Sequence, residues 1–116
     1  VDYIERGSPL SNLEVVTNQY VDKVILEASD QGSPKAAAIG IQNSKGDTRI
    51  IRAGKEIILT AGAYGTPAIL LRSGIGPKDE LEQIGVHPEV QLPGVGKNLM
   101  DHMVSTDIHE LEWPYH

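Results

Sequence analysis

Residues 62–76 read Gly-Ala-Tyr-Gly-Thr-Pro-Ala-Ile-Leu-Leu-Arg-Ser-Gly-Ile-Gly, and this stretch sets the expected fold class. It follows an apolar run at 56–61, Glu-Ile-Ile-Leu-Thr-Ala. The consecutive aliphatics Ile57, Ile58 and Leu59 suit a strand covered on both faces, as in a parallel sheet. Glycines at 62 and 65 permit positive φ and leave room for a close ligand. Thr66 suits a helix cap, Pro67 the first helical position and Gly74 the residue past the end, which predicts a helix over 67–73. Strand, glycine turn, helix and glycine stop is the order of an α/β fold. Its bare strand-to-helix turn is where such folds receive phosphates or nucleotides.

Upstream, residues 13–17 (Leu-Glu-Val-Val-Thr) read as a short buried strand set up by Ser11 and Asn12. Residues 20–28 predict a strand with Val24, Leu26 and Ala28 on one face and Lys23, Ile25 and Glu27 on the other. A turn cluster at 30–34 leads to a strand over 36–42, with Ile39 and Ile41 on one side. A second cluster at 43–47 leads to a strand over 48–53, where Arg and Ile alternate. These three strands are expected to form an antiparallel β-meander. Downstream, Pro77 opens a second helix that runs to Ile84. Its first turn carries Asp79 and Glu80, Leu81 and Ile84 form its apolar stripe, and Gly85 follows it. Residues 87–92 read as a brief extended piece and 93–98 as a glycine-rich loop. Residues 103–109 alternate as a strand of a different layer. The expected class is α/β in an α+β fragment: a β-meander, one or two parallel-sheet strands and two short helices.

With 116 residues the chain is one domain at most. It has no Phe, one Trp and four Tyr, so aliphatic side chains must supply most of any core. The formal charge is −6 and no basic cluster exceeds a pair, which argues against nucleic acid or an anionic membrane as partner. No apolar run approaches the ~20 residues of a membrane-spanning helix. The absence of Cys excludes disulfides, thiolate metal sites and a Cys nucleophile. His87, His102, His109 and His116 do not fall in any metal-binding spacing, so no metal site is expected. The chain begins without Met and stops where a strand has begun to alternate, so we expect it to be a segment of something larger.

The full pattern at 62–76, Gly-Ala-x-Gly-Thr-Pro-x-Ile-Leu-x-x-Ser-Gly-Ile-Gly, resembles the second signature of the glucose-methanol-choline (GMC) flavoprotein oxidoreductases. Two further blocks extend the resemblance from about Asn12 to His102. One runs from Asn12-Leu-Glu-Val-Val-Thr17 through Val21-Asp-Lys-Val24, and the other is Pro93-Gly-Val-Gly-x-Asn-Leu-x-Asp-His102. The resemblance implies a middle portion of a Rossmann-like FAD-binding domain over residues 1–101. It also implies that 102–116 begin a substrate-binding domain.

FAD is the implied cofactor. By the resemblance, the backbone at Val21 lies against adenine, and Ala61, Gly62 and Ala63 lie on the adenosine side of FAD. Asp101 and His102 end a loop that, by the resemblance, leads towards the substrate domain and places His102 near the flavin. Each position also has a plainer reading: an ordinary strand valine at 21, a tight turn at 62, and a loop histidine bonded to Asp101 at 102. Thr66 reads as a cap rather than a nucleophile, because no Gly-x-Ser-x-Gly elbow surrounds it. Ser73, at a helix C-terminus, reads as structural.

The family's Gly-x-Gly-x-x-Gly fingerprint and its C-terminal catalytic pair are both missing, so the chain is expected not to catalyse alone and to hold no catalytic residue. The implied parent oxidises a small alcohol: a base takes the hydroxyl proton and a hydride passes to the flavin. The expected role here is scaffold and adenosine-side wall, with the rest of the parent chain as partner and self-association of the isolated chain. Two alternatives remain, a hydroxynitrile lyase on the same scaffold and a free-standing binding or assembly module.

Overall fold

The computed structural model describes residues 11–30 and 32–105. Three antiparallel strands, β1 (Gln19–Glu27), β2 (Lys35–Asn43) and β3 (Thr48–Arg52), form a sheet in the order β1-β2-β3, the expected meander. The β2–β3 turn is built on Asn43. Its Oδ1 accepts the N–H groups of Lys45 (2.9 Å) and Asp47 (3.0 Å), and Gly46 adopts φ +90°. A side chain that satisfies two turn amides is the usual reason for Asn at such a position.

The β1–β2 register holds two opposed bulges. Val21 faces Ile41 but Lys23 faces Gly40, so Asp22 is the extra residue on β1. Ile25 then faces Ala38 and Leu26 faces Ala36, so Ala37 is the extra residue on β2 and the original register returns. A bulge places two neighbours on one face, and Ala37 and Ala38 are indeed both buried. The simple alternation expected for 20–28 is corrected accordingly. Val24 is buried, Ile25 and Leu26 are both half-buried, and Ala28 is exposed beyond the strand end.

Helix α1 spans Gly62–Arg72, five residues longer at its start than expected. Gly62 has the predicted positive φ (+79°), whereas Gly65 lies inside the helix and does not. Pro67 is likewise internal rather than at the first position. Thr66 bonds the helix start from within: its Oγ1 accepts the Ala61 N–H at 2.9 Å, reaching back to the N-cap residue instead of being it. After α1 the chain forms β4 (Ile75–Gly76), α2 (Lys78–Gln83) and β5 (Val90–Gln91), with β4 and β5 parallel. Pro77 is the N-cap of α2, and Leu81 is fully buried. Ile84, expected on the same apolar stripe, is 60% exposed, because the helix ends before it and Gly85 (φ +72°) turns the chain away.

Three expected strands are corrected. Residues 56–61 pair with no strand among the described residues, and Ile58 is 74% exposed. A strand buried on both faces needs ladder partners, and neither sheet supplies one here. Residues 13–17 are likewise unpaired, with Leu13, Val15 and Val16 about half exposed. Residues 103–105 form no strand, and 106–109 lie outside the described residues.

Among the described residues the buried apolar side chains are Val24, Ala37, Ala38, Ile41, Ile69 and Leu81. The core therefore lies where β1 and β2 meet α1, with Leu81 as a second point under β4. Ser73 is buried between them and joins the two elements. Its hydroxyl donates to the Ile69 carbonyl (2.6 Å) and accepts the Val24 N–H (2.8 Å). That fully satisfied hydroxyl is structural, as its position at the helix end predicts.

Candidate functional site

The start of α1 is open. Ala61, Gly62 and Ala63 are all exposed, and no side chain caps the first turn. A Cβ at Gly62 would meet nothing within 4 Å, so glycine is required there by its positive φ and not by packing. The free N–H groups of a first helical turn point outwards and favour an acceptor or an anion. Fixed dipoles and small side chains of this kind can hold a polar ligand but cannot themselves move a proton or electron.

The same face of α1 meets the glycine-rich loop. A groove of about 270 Å³ is lined by Ala63, Tyr64, Pro67, Ala68 and Leu71 from α1, and by Gly96, Lys97 and Leu99 from the loop. Gly96 (φ +74°) and Asn98 (φ +56°) shape the loop, and the Lys97 ammonium pairs with the Glu80 carboxylate. The structure thus brings Ala63, the last residue of the open turn, into one groove with Gly96 and Lys97 of the 93–98 block. Asp101 and His102 follow in sequence, both exposed and outside the groove lining, and the His102 N–H donates to Asp101 Oδ1 at 2.8 Å.

Val21 is placed differently. It lies half-buried on β1, and no hydrogen bond among the described residues links it to 61–63. Its carbonyl instead accepts from Arg72 Nη2 (3.3 Å), at the last residue of α1. Arg72 Nε donates to the Asp22 carbonyl (2.7 Å) and lies 3.3 Å from the Asp22 carboxylate, and its guanidinium sits 5.2 Å from the centre of the Tyr20 ring. Sequence reading missed Arg72, because its partners stand 50 residues earlier in the chain. The Tyr-x-Asp spacing on β1 and a lone Arg at the helix end were the available signals.

The Ser-Gly-Ile-Gly end of the signature also has a physical account. Gly74 (φ +76°) lies against the segment that leads into β5, and a Cβ there would stand 2.5 Å from the His87 carbonyl oxygen. The Gly74 carbonyl accepts the N–H groups of Glu89 (2.8 Å) and Val90 (3.1 Å). At Gly76 a Cβ would press to 2.6 Å from a Leu71 methyl. Among the described residues no cluster of three or more potential metal ligands occurs, and no helix is long and apolar enough to cross a membrane.

These features fall inside a match to the GMC oxidoreductase family model over residues 3–104. The chain belongs to the GMC oxidoreductase family. It is similar to an oxygen-dependent choline dehydrogenase of Pectobacterium carotovorum subsp. carotovorum (strain PC1), with 37% identity over 102 residues, covering 87% of this chain and 17% of that protein. It is also similar to a glucose dehydrogenase [FAD, quinone] of Drosophila melanogaster, with 40% identity over 93 residues, covering 80% of this chain and 14% of that protein. Among solved structures, a formate oxidase aligns with TM-score 0.65 and 32% identity, over 72% of this chain and 14% of that one. An FAD-dependent oxidoreductase from Chaetomium thermophilum aligns with TM-score 0.64 and 32% identity over the same shares. The GMC chain thus spans about one sixth of the curated relatives it matches. Its mixed sheet and helices are those of a GMC FAD-binding region.

Proposed function

We propose that this chain is the adenosine-side wall of an FAD-dependent GMC oxidoreductase that oxidises an alcohol carbon, and that it works as part of a longer protein. The observation that carries the reading is the uncapped, exposed turn at Ala61, Gly62 and Ala63, which lies within the family match. Such a turn admits a nucleotide closely and holds it by backbone amides. Bound FAD supplies the hydride acceptor. The turn at 61–63 would hold its adenosine side, the backbone at Val21 would meet adenine, and Asp101 and His102 would lie near the cofactor.

No residue of this chain takes the alcohol proton, and the isolated chain is inactive. Residues 1–101 then belong to the FAD-binding domain and 102–116 begin the substrate domain. The substrate class follows from relatives named for choline and for glucose, both of which carry hydroxyl groups.

The test uses the longer protein that carries this segment. Its visible spectrum should show a flavin band, and choline, glucose or a simple primary alcohol added without oxygen should bleach it. A protein purified and refolded with no flavin band overturns the cofactor assignment. A band that every alcohol leaves intact, with cyanide release from a hydroxynitrile instead, overturns the oxidation and leaves a lyase.

A further inference from the structure

The Asp22 bulge is the point where β1 breaks its ladder to β2, and it is also the point that α1 grips. A bulged residue has no partner across the sheet, so its peptide groups can tilt unless something else holds them. Arg72 holds them. Its Nε donates to the Asp22 carbonyl at 2.7 Å and its Nη2 reaches the Val21 carbonyl at 3.3 Å. The Asp22 carboxylate, 3.3 Å from Nε, neutralises the guanidinium, and the Tyr20 ring lies beneath it at 5.2 Å. Three consecutive residues, Tyr20, Val21 and Asp22, therefore converge on one planar group that offers donors in a rigid fork. The Arg72 side chain is only one-third exposed, so these bonds are partly shielded from water.

We propose that Arg72 is a positioning residue for the nucleotide: it fixes the Val21–Asp22 peptide so that Val21 presents its backbone to adenine. The inference rests on the adenine contact proposed above and goes beyond it by naming the group that sets the contact. A carbonyl oxygen has two lone pairs, so the long Arg72 bond leaves Val21 able to accept from an adenine amine. The clamp acts on the adenine half of the cofactor alone. Its loss is therefore expected to weaken FAD without weakening FMN, which lacks adenine. A purely structural role would weaken both.

The experiment compares FAD and FMN affinities of the longer protein, after removal of its own flavin, for the native sequence, Arg72→Met and Arg72→Lys. Thermal unfolding is followed in parallel. Arg72→Met should weaken FAD by about tenfold, the scale of a lost charge-assisted hydrogen bond, and leave FMN within a factor of about two. Arg72→Lys should fall between, since an ammonium cannot serve both carbonyls and the carboxylate in one plane. If Arg72→Met fails to fold, Arg72→Lys and Asp22→Asn carry the same comparison. Equal weakening of FAD and FMN, or no weakening of either, overturns the inference. A native protein that takes up no FAD overturns the reading of the site itself, and this inference with it.

Discussion

At the scale of single residues, the glycines that end the two helices differ in what they require, and the difference can be measured. Gly85 needs a left-handed backbone but has open space around it (φ +72°, nothing within 4 Å of a Cβ). Gly74 needs both the conformation and the absence of a side chain, because His87 and Glu89 stand within 3 Å of where a Cβ would lie. Gly85→Ala is therefore expected to cost about 1 kcal/mol, the ordinary penalty of an L-residue in that region. Gly74→Ala should cost more than about 2 kcal/mol, since the His87 backbone carbonyl beside it cannot move aside cheaply. Urea midpoints of the two variants in the longer protein check this, and equal costs would show that strain alone governs both. Ser73 supplies a second case. Ser73→Ala leaves the buried Val24 N–H without its 2.8 Å acceptor and should cost about 1–3 kcal/mol by the same measurement.

At the scale of elements, α1 shows how a helix starts without a conventional N-cap. Ala61 has no side-chain oxygen for the first-turn amides; Thr66 instead accepts the Ala61 N–H itself and so holds the residue that precedes the helix. Thr66→Val keeps the shape and removes the acceptor. Amide exchange at Ala61 and in the first turn should speed up about fivefold, matching roughly 1 kcal/mol of cap stability; unchanged exchange would mean the start of α1 is held by its packing alone. By contrast, the Arg52–Glu27 pair bridges β3 to β1 at 2.7 Å with both side chains largely exposed, so it should add at most about 1 kcal/mol.

The elements also show what a sequence can and cannot disclose. The meander was legible because its strands alternate with period two and its turns carry Asn, Gly and Asp. The helices were legible through Pro67, Gly74, Pro77 and Gly85, although Pro67 marked a turn within α1 and not its start. The opposed bulges at Asp22 and Ala37 were not legible, since one extra residue on each strand leaves the overall alternation almost intact. The open turn at 61–63 was legible as a turn, because Gly62 was read as needing positive φ and has it. The Arg72 clamp was not, because it is made by contacts across 50 residues that no local pattern encodes.

At the scale of the whole molecule, the balance of buried and exposed apolar surface sets the behaviour of the chain in isolation. Leu81 is the one large side chain fully buried among the described residues. Ile58 is 74% exposed and Ile50 67% exposed, and Ile58 lies in the run at 56–61 that pairs with neither sheet. An apolar segment with free backbone groups is a template for another chain. The isolated 116-residue chain is therefore expected to self-associate. Sedimentation velocity over a dilution series should show species heavier than the monomer that recede on dilution. Ile58→Lys places a charge in the unpaired run and should shift the distribution towards monomer, whereas Lys55→Glu, beside the run but outside its apolar part, should not. A single sharp monomer boundary with a cooperative unfolding transition would defeat the expectation, because it would mean that 56–61 finds its cover within the chain. Association unaffected by Ile58→Lys but abolished by Ile50→Lys would move the contact from this run to the outer strand β3.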